Sequence, residues 1–441
     1  TATLPAAPVL PRTEPAPAPP ASESAESVSV PAPPPAPAPA RTAPLLVVAL
    51  ALSVLMLVLM LLMAVAQPTG MRFPPPFDVL NTPTRLVRIA VPVYIILLAL
   101  AALGSRLRRR SRRALGIHAD TILSVAFAPN GELVGSAAND GAIHIWRNGS
   151  AAPVLCRGHR GPVRQISFTP ASDLLVSGAD DGTLRIWQAR DGAQQSVLHE
   201  HRGRISCIAV AANGQLLASA ATDGTIILWG LRERAPLHTL RGHPLGTVGL
   251  ALTPDGSRLA SAGEDGRIHV WSTRSGALVH TLAEHTDAVC EIAFSPDGRT
   301  LASCARDTSV RLWRVRDGAL LHTLGDHTLP VSGLAFHPSG ELLASRSEDA
   351  TVRLWRVGDG KLLHTLRGHT RYISGIAFVH GGETLASASW DGSVRLWRVR
   401  DGKAHGSLLE RSARILLLAA SQNGNALATG GLDRAVRLWH F

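Results

Sequence analysis

From residue 114 to the end of the chain, apolar and polar side chains alternate in short runs, as in Ile373, Gly375 and Ala377 on one side and Ser374, Ile376 and Phe378 on the other. A period of two puts successive side chains on opposite faces of an extended strand. Turn sequences cut the runs at regular intervals. Pro-Asn-Gly at 129–131, Pro-Asp-Gly at 254–256 and 296–298 and Pro-Ser-Gly at 338–340 close one kind of hairpin, and Arg-Asp-Gly at 190–192, 316–318 and 400–402 closes another. In each the glycine supplies the positive φ that a tight turn requires.

Upstream the pattern changes character. Residues 45–66 are 22 uncharged, mostly apolar positions, which as a helix would span ~33 Å against a hydrocarbon core of ~30 Å. A second apolar stretch, 86–104, contains Arg88 near its start and Pro92 within its first turns, both tolerable in a spanning helix when the arginine reaches the interface. Two transmembrane helices are expected, joined by the Pro-rich extracytoplasmic loop 67–85. Residues 1–44 are dominated by Pro and Ala and hold too few large apolar side chains to offset chain entropy, so a disordered, locally polyproline II segment is expected. Such a segment suits a proline-recognising partner.

Within the strand-rich part, Trp146, Trp187, Trp229, Trp271, Trp313, Trp355, Trp397 and Trp439 stand 41 residues apart once and 42 apart thereafter. An aspartate lies six residues before each tryptophan and a serine or threonine four before that, while seven of the eight units carry a histidine 28 residues before the tryptophan. The eighth unit has Arg411 where the histidine is expected. No unit of this length buries its own apolar surface, so the units must stack on one another. Reading Ser, His and Asp as a catalytic triad fails on repetition, because seven copies of one set fit packing rather than chemistry.

This repeat, seen in GHTRYISGIAFVHGGETLASASWDGSVRLW, resembles the WD40 family, whose unit is one blade of a β-propeller. The resemblance implies an all-β fold, an eight-bladed WD40-like β-propeller over 114–441, preceded by the transmembrane helical hairpin and the disordered N-terminus. It also implies that His369, Ser387, Asp391 and Trp397 form a structural hydrogen-bonded tetrad, and that each sequence repeat opens with the outermost strand of the preceding blade. The last repeat stops just after Trp439, so blade eight is expected to take its outer strand from RRALGI at 112–117. Outer strands of the family run from the bottom face, with the Arg-Asp-Gly turns, to the top face, with the histidine loops. The membrane therefore meets the bottom.

Charge adds a topology. Of a formal +11, residues 1–113 hold 11 Arg and 4 acids, whereas 114–441 hold 33 basic and 29 acidic residues. Arg106, Arg108, Arg109, Arg110, Arg112 and Arg113 crowd the juxtamembrane segment 105–113. Positive charge of that density marks the cytoplasmic side and suits anionic headgroups. A multi-pass protein of the inner or cytoplasmic membrane is expected, with propeller and N-terminus in the cytoplasm. Nucleic acid is not an expected partner, since the propeller lacks a clustered basic excess of its own. Lys361 and Lys403 are the only lysines, and this arginine bias with Ala and Leu richness points to a bacterial source. Cys156, Cys207, Cys290 and Cys304 have no metal-ligand spacing and read as core thiols. No phosphate loop, metal cluster or catalytic motif appears, so neither enzyme activity nor a cofactor is expected.

The residue before each motif aspartate falls on the top face: Asn139, Asp180, Thr222, Glu264, Arg306, Glu348, Trp390 and Leu432. Trp390 is the one tryptophan outside the repeat register, Tyr372 belongs to the same blade, and Arg414 to the next. These three residue types dominate interface hot spots, which makes blade seven the expected partner site, with Arg306 and Glu348 beside it and Arg164 and Arg204 as a second, electropositive patch. Two functions fit: a membrane-tethered, non-enzymatic scaffold or accessory subunit, and a sensor or regulatory propeller of a membrane signalling system, the tail of a larger enzyme such as a kinase.

Overall fold

The computed structural model describes residues 112–147, 150, 152–409 and 414–440. The expected Pro/Ala-rich segment 1–44, the spans 45–66 and 86–104, the loop 67–85 and Arg106, Arg108, Arg109 and Arg110 lie outside the described residues, as do the Arg112 and Arg113 side chains. Among the described residues no helix is long and apolar enough to cross a membrane.

Among the described residues thirty-two strands form eight four-stranded antiparallel sheets, seven of them meanders from the innermost to the outermost strand. Blade seven is typical: Ile373–Val379, Thr384–Ser389, Ser393–Arg398 and Ala404–Leu409 lie side by side in chain order. Blade eight differs. Its strands Ile415–Ala420, Ala426–Gly431 and Ala435–His440 are completed by Arg112–Ile117 from the other end of the chain. The pairing runs from Arg112 opposite Trp439 to Ile117 opposite Ala435, so the chain enters this strand at the face carrying the Arg-Asp-Gly turns.

Blades bury their faces against one another. Ile143, Ile145 and Cys156 of blade one pack with Val163, Leu175 and Trp187 of blade two, and the same arrangement closes the circle, where Leu115, Val436 and Leu438 meet Trp146. Gly116 is required at that last seam, because a Cβ there would drive into the Trp146 ring. Cys156, Cys207 and Cys304 are buried and free, and Cys290 is half-buried and free. Burial pushes the Cys156 and Cys207 thiols up to about 12, which leaves them protonated and inert at neutral pH.

The expected tetrad is present in blade seven. Trp397 Nε1 donates to Ser387 Oγ at 2.8 Å, His369 Nε2 meets the same hydroxyl at 2.7 Å, and His369 Nδ1 meets Asp391 at 2.9 Å. Burial raises the Asp391 pKa, but the bonds from His369 and Ser393 outweigh it and hold the carboxyl below its usual range. Three blades depart from the pattern. In blade three His201 Nδ1 bonds Thr225 Oγ1 at 2.9 Å while Asp223 lies 3.7 Å away. In blade one His118 stacks on His144 at 3.9 Å, and the Nδ1 atoms of both rings are buried without a partner. His144 occupies the position filled by Arg311, Arg353, Arg395 and Arg437 in blades five to eight; His269 fills it in blade four, where His243 stacks on that ring at 4.4 Å and still meets Asp265 at 3.2 Å. In blade eight, which has no motif histidine, Arg437 pairs with Asp433.

Ser387→Ala removes the buried hydroxyl that Trp397 and His369 share and should lower stability by about 1–3 kcal/mol; a chemical-denaturation midpoint equal to that of wild type would overturn the structural role. Burial, reinforced by His144, lowers the His118 pKa from 6.5 to about 4, and burial, reinforced by His243, does the same to His269. A folded pKa below the unfolded one means the unfolded chain binds protons first. The contribution of these rings is therefore complete above pH 6.5 and is lost as pH falls towards 4. Thermal midpoints should drop across that interval, and the double variant His144→Phe/His269→Phe should flatten the drop.

Candidate interaction surface

One backbone bond recurs in every blade and welds its two top loops. The amide before the motif aspartate donates to a carbonyl of the histidine loop: Asn139 to Thr121, Asp180 to Pro162, Thr222 to Arg204, Glu264 to Gly246, Arg306 to Ala288, Glu348 to Pro330, Trp390 to Tyr372 and Leu432 to Arg414, all at 2.9–3.2 Å. A constant frame thus carries variable side chains, and it decides which of them become neighbours.

In blade seven the frame brings Trp390 and Tyr372 together edge to face, with ring centroids 5.0 Å apart. Arg414 of blade eight places its guanidinium 5.4 Å from the Trp390 centroid, within cation–π range. Trp390 remains 38% exposed, so the cluster is a surface feature rather than a piece of core. Leu329 of blade six and Leu432 of blade eight, exposed to 47% and 50%, flank it on the same face. Glu348 and Arg306 are exposed on the two preceding blades.

Arg164 and Arg204 behave differently. Arg164 clamps Asp180 with both arms of its fork at 2.7 and 2.6 Å, and Arg204 lies 4.0 Å from the same carboxylate. The expected electropositive patch is therefore largely neutralised within the blade pair. Arg164 occupies the bulge that interrupts the pairing of its innermost strand between Val163 and Gln165, and a bulge re-aims its extra side chain.

Sequence reasoning missed Arg346. Its guanidinium crosses Gly333, where a Cβ would collide with it. It donates to Ser332 Oγ at 3.2 Å, to Ile373 O at 2.9 Å and to Tyr372 Oη at 3.1 Å. It also lies 3.8 Å from Glu291 of blade five. One side chain thereby ties three blades and fixes the phenol of the aromatic pair. A second histidine register also passed unnoticed. His238, His280 and His322 on outer strands bond carbonyls of the next blade at 3.1–3.3 Å, and the recurring His-Thr-Leu at these positions was its signal.

No cluster of His, Cys, Asp or Glu among the described residues has metal-binding geometry. The network at Arg346 generates a coupling test. Arg346→Met and Gly333→Ala should each destabilise by about 1–3 kcal/mol, and the double variant should cost clearly less than the sum, because both remove one crossing. Additive losses in equilibrium unfolding would refute it.

Comparison with known proteins agrees with this geometry. A model of the WD domain, G-beta repeat, matches eight times, at residues 110–147, 153–188, 192–230, 234–272, 276–314, 318–356, 360–398 and 405–440. The crystal structure of the computationally designed Ika8 protein is similar at a TM-score of 0.67 and 27% identity, over 74% of this chain and 98% of that one. A search of curated proteins finds no match. Eight repeats, each with its Trp and its Ser or Thr and closed into one ring, make this chain a member of the WD40 repeat family.

Proposed function

We propose that this propeller is a non-enzymatic interaction scaffold or accessory subunit that grips a protein partner through the top of blade seven. WD40 propellers are generally interaction domains without catalysis, and what supports the blade-seven site is the exposed Trp390–Tyr372–Arg414 cluster. Aromatic rings with few rotatable bonds lose little entropy when a partner covers them, and the Tyr372 hydroxyl is already fixed by Arg346.

Tethering to a membrane is the second part of the proposal. It rests on the apolar stretches 45–66 and 86–104 and the arginine run behind them. The run leads directly into the strand that completes blade eight, at the face opposite the aromatic cluster.

The double variant Trp390→Ala/Tyr372→Ala should abolish partner capture from solubilised membranes, since each hot-spot truncation costs about 2 kcal/mol or more. Its thermal midpoint should stay close to wild type. Unchanged capture by a folded double variant would remove blade seven from the proposal.

A further inference from the structure

The innermost strand of each blade begins at one fixed position of the repeat, paired with the end of the second strand. Seven blades fill it with a buried isoleucine or valine, from Ile122 in blade one to Ile415 in blade eight. Blade four has Thr247 there, opposite Gly263. Thr247 is 4% exposed, and its Oγ1 is buried without a hydrogen-bond partner among the described residues. An unpaired buried hydroxyl destabilises a fold, and the valine of blades two, five and six has nearly the same shape without that cost.

Thr247 lines a pocket of about 480 Å³ on the top face between blades three and four, a size in the range of small-molecule sites. Gly246 keeps it open. Every other blade carries a side chain at this position, whereas Gly246 has a φ of 115° and a Cβ there would meet nothing within 4 Å. Asp223 and Glu264 also line the pocket, and no Lys, Arg or His is among its lining residues. Arg204, on the adjoining loop, turns instead towards Asp180 of blade two.

Asp223 has acceptor capacity to spare. The histidines of blades two and four to seven meet their aspartates at 2.8–3.2 Å, whereas His201 bonds Thr225 and leaves Asp223 at 3.7 Å. Burial raises the Asp223 pKa, but the bonds from Thr225 and the Arg202 amide outweigh it and hold the carboxyl below its usual range, hence charged at neutral pH. Glu264 is exposed at the rim. Leu245, itself 66% exposed, and Val248 supply apolar wall.

We infer that this pocket takes the basic side chain, lysine or arginine, of a protein partner. The N–H donors of the cation reach the two carboxylates and the Thr247 hydroxyl, and its methylene stem lies along Leu245 and Val248. An anion would meet only like charge, and an apolar side chain would leave Asp223 and Thr247 dry and unpaired. Blades three and four lie across the eight-bladed ring from the seven–eight pair, so the pocket does not depend on the Trp390 cluster.

Ligand-observed NMR titration of the detergent-solubilised full chain tests this with the methylamides of Nα-acetyl-lysine and Nα-acetyl-arginine, and with Nα-acetyl-norleucine methylamide as the uncharged probe. Saturable binding of at least one basic probe is expected, and none of the norleucine compound. Glu264→Gln should weaken binding about tenfold, the loss of a charge-assisted bond. Thr247→Val should weaken it about fivefold and at the same time raise the thermal midpoint, a pair of opposite effects that a damaged fold does not produce. Preference for one basic probe identifies the side chain. Absence of saturable binding by both basic probes, equal binding of the norleucine probe, or an affinity unchanged in either variant would overturn the inference.

Discussion

Everything in this molecule depends on each blade finding a neighbour. A four-stranded sheet of strands three to seven residues long has two faces and cannot cover either by itself, so apolar burial takes place in the seams: Trp187 with Ile143 and Ile145 between blades one and two, Trp439 with Val394 and Leu396 between blades seven and eight. The seam between blades eight and one has the same composition, but it exists only because Arg112–Ile117 joins the sheet of Ala435–His440. One six-residue ladder converts a stack with two exposed ends into a ring with none.

On top of that constraint the fold repeats two rigid devices and leaves the rest free to vary. The tryptophan–hydroxyl bond anchors the third strand of every blade to its second, at 2.8–3.0 Å in all eight. The loop-to-loop amide bond does the same at the top. Residues that take part in neither are where blades acquire individuality. Trp390 and Tyr372 sit on the frame without belonging to it, and Thr247 replaces the isoleucine or valine that other blades share.

Much of this was legible in the sequence. The tryptophan register gave the blade count, and the last repeat ending at its third strand pointed to 112–117 as the missing fourth. Trp390, Tyr372 and Arg414 meet because register alone places them on adjoining loops. What sequence could not show were contacts that depend on absent atoms or on a neighbour's identity. Arg346 reaches Tyr372 only because Gly333 has no side chain to block it, a relation between two blades that no single repeat displays. His118 stacks on His144, and its Nδ1 is left without the aspartate contact that His243 keeps while stacked on His269 in blade four. Arg164 looked like free charge until the bulge turned it onto Asp180. In each case the local letters fit the repeat, and the outcome was decided by the third dimension.

The closing ladder has a kinetic consequence. Arg434 bonds the carbonyl of Ala119, a partner 315 positions away in sequence, and contacts so distant form late in folding. Until they form, Ala435–His440 offers a bare edge able to accept the same six-residue segment from a second molecule. Intramolecular closure does not depend on concentration, whereas exchange between molecules does. Dilution therefore favours closure of the ring within one molecule over exchange of this segment between two.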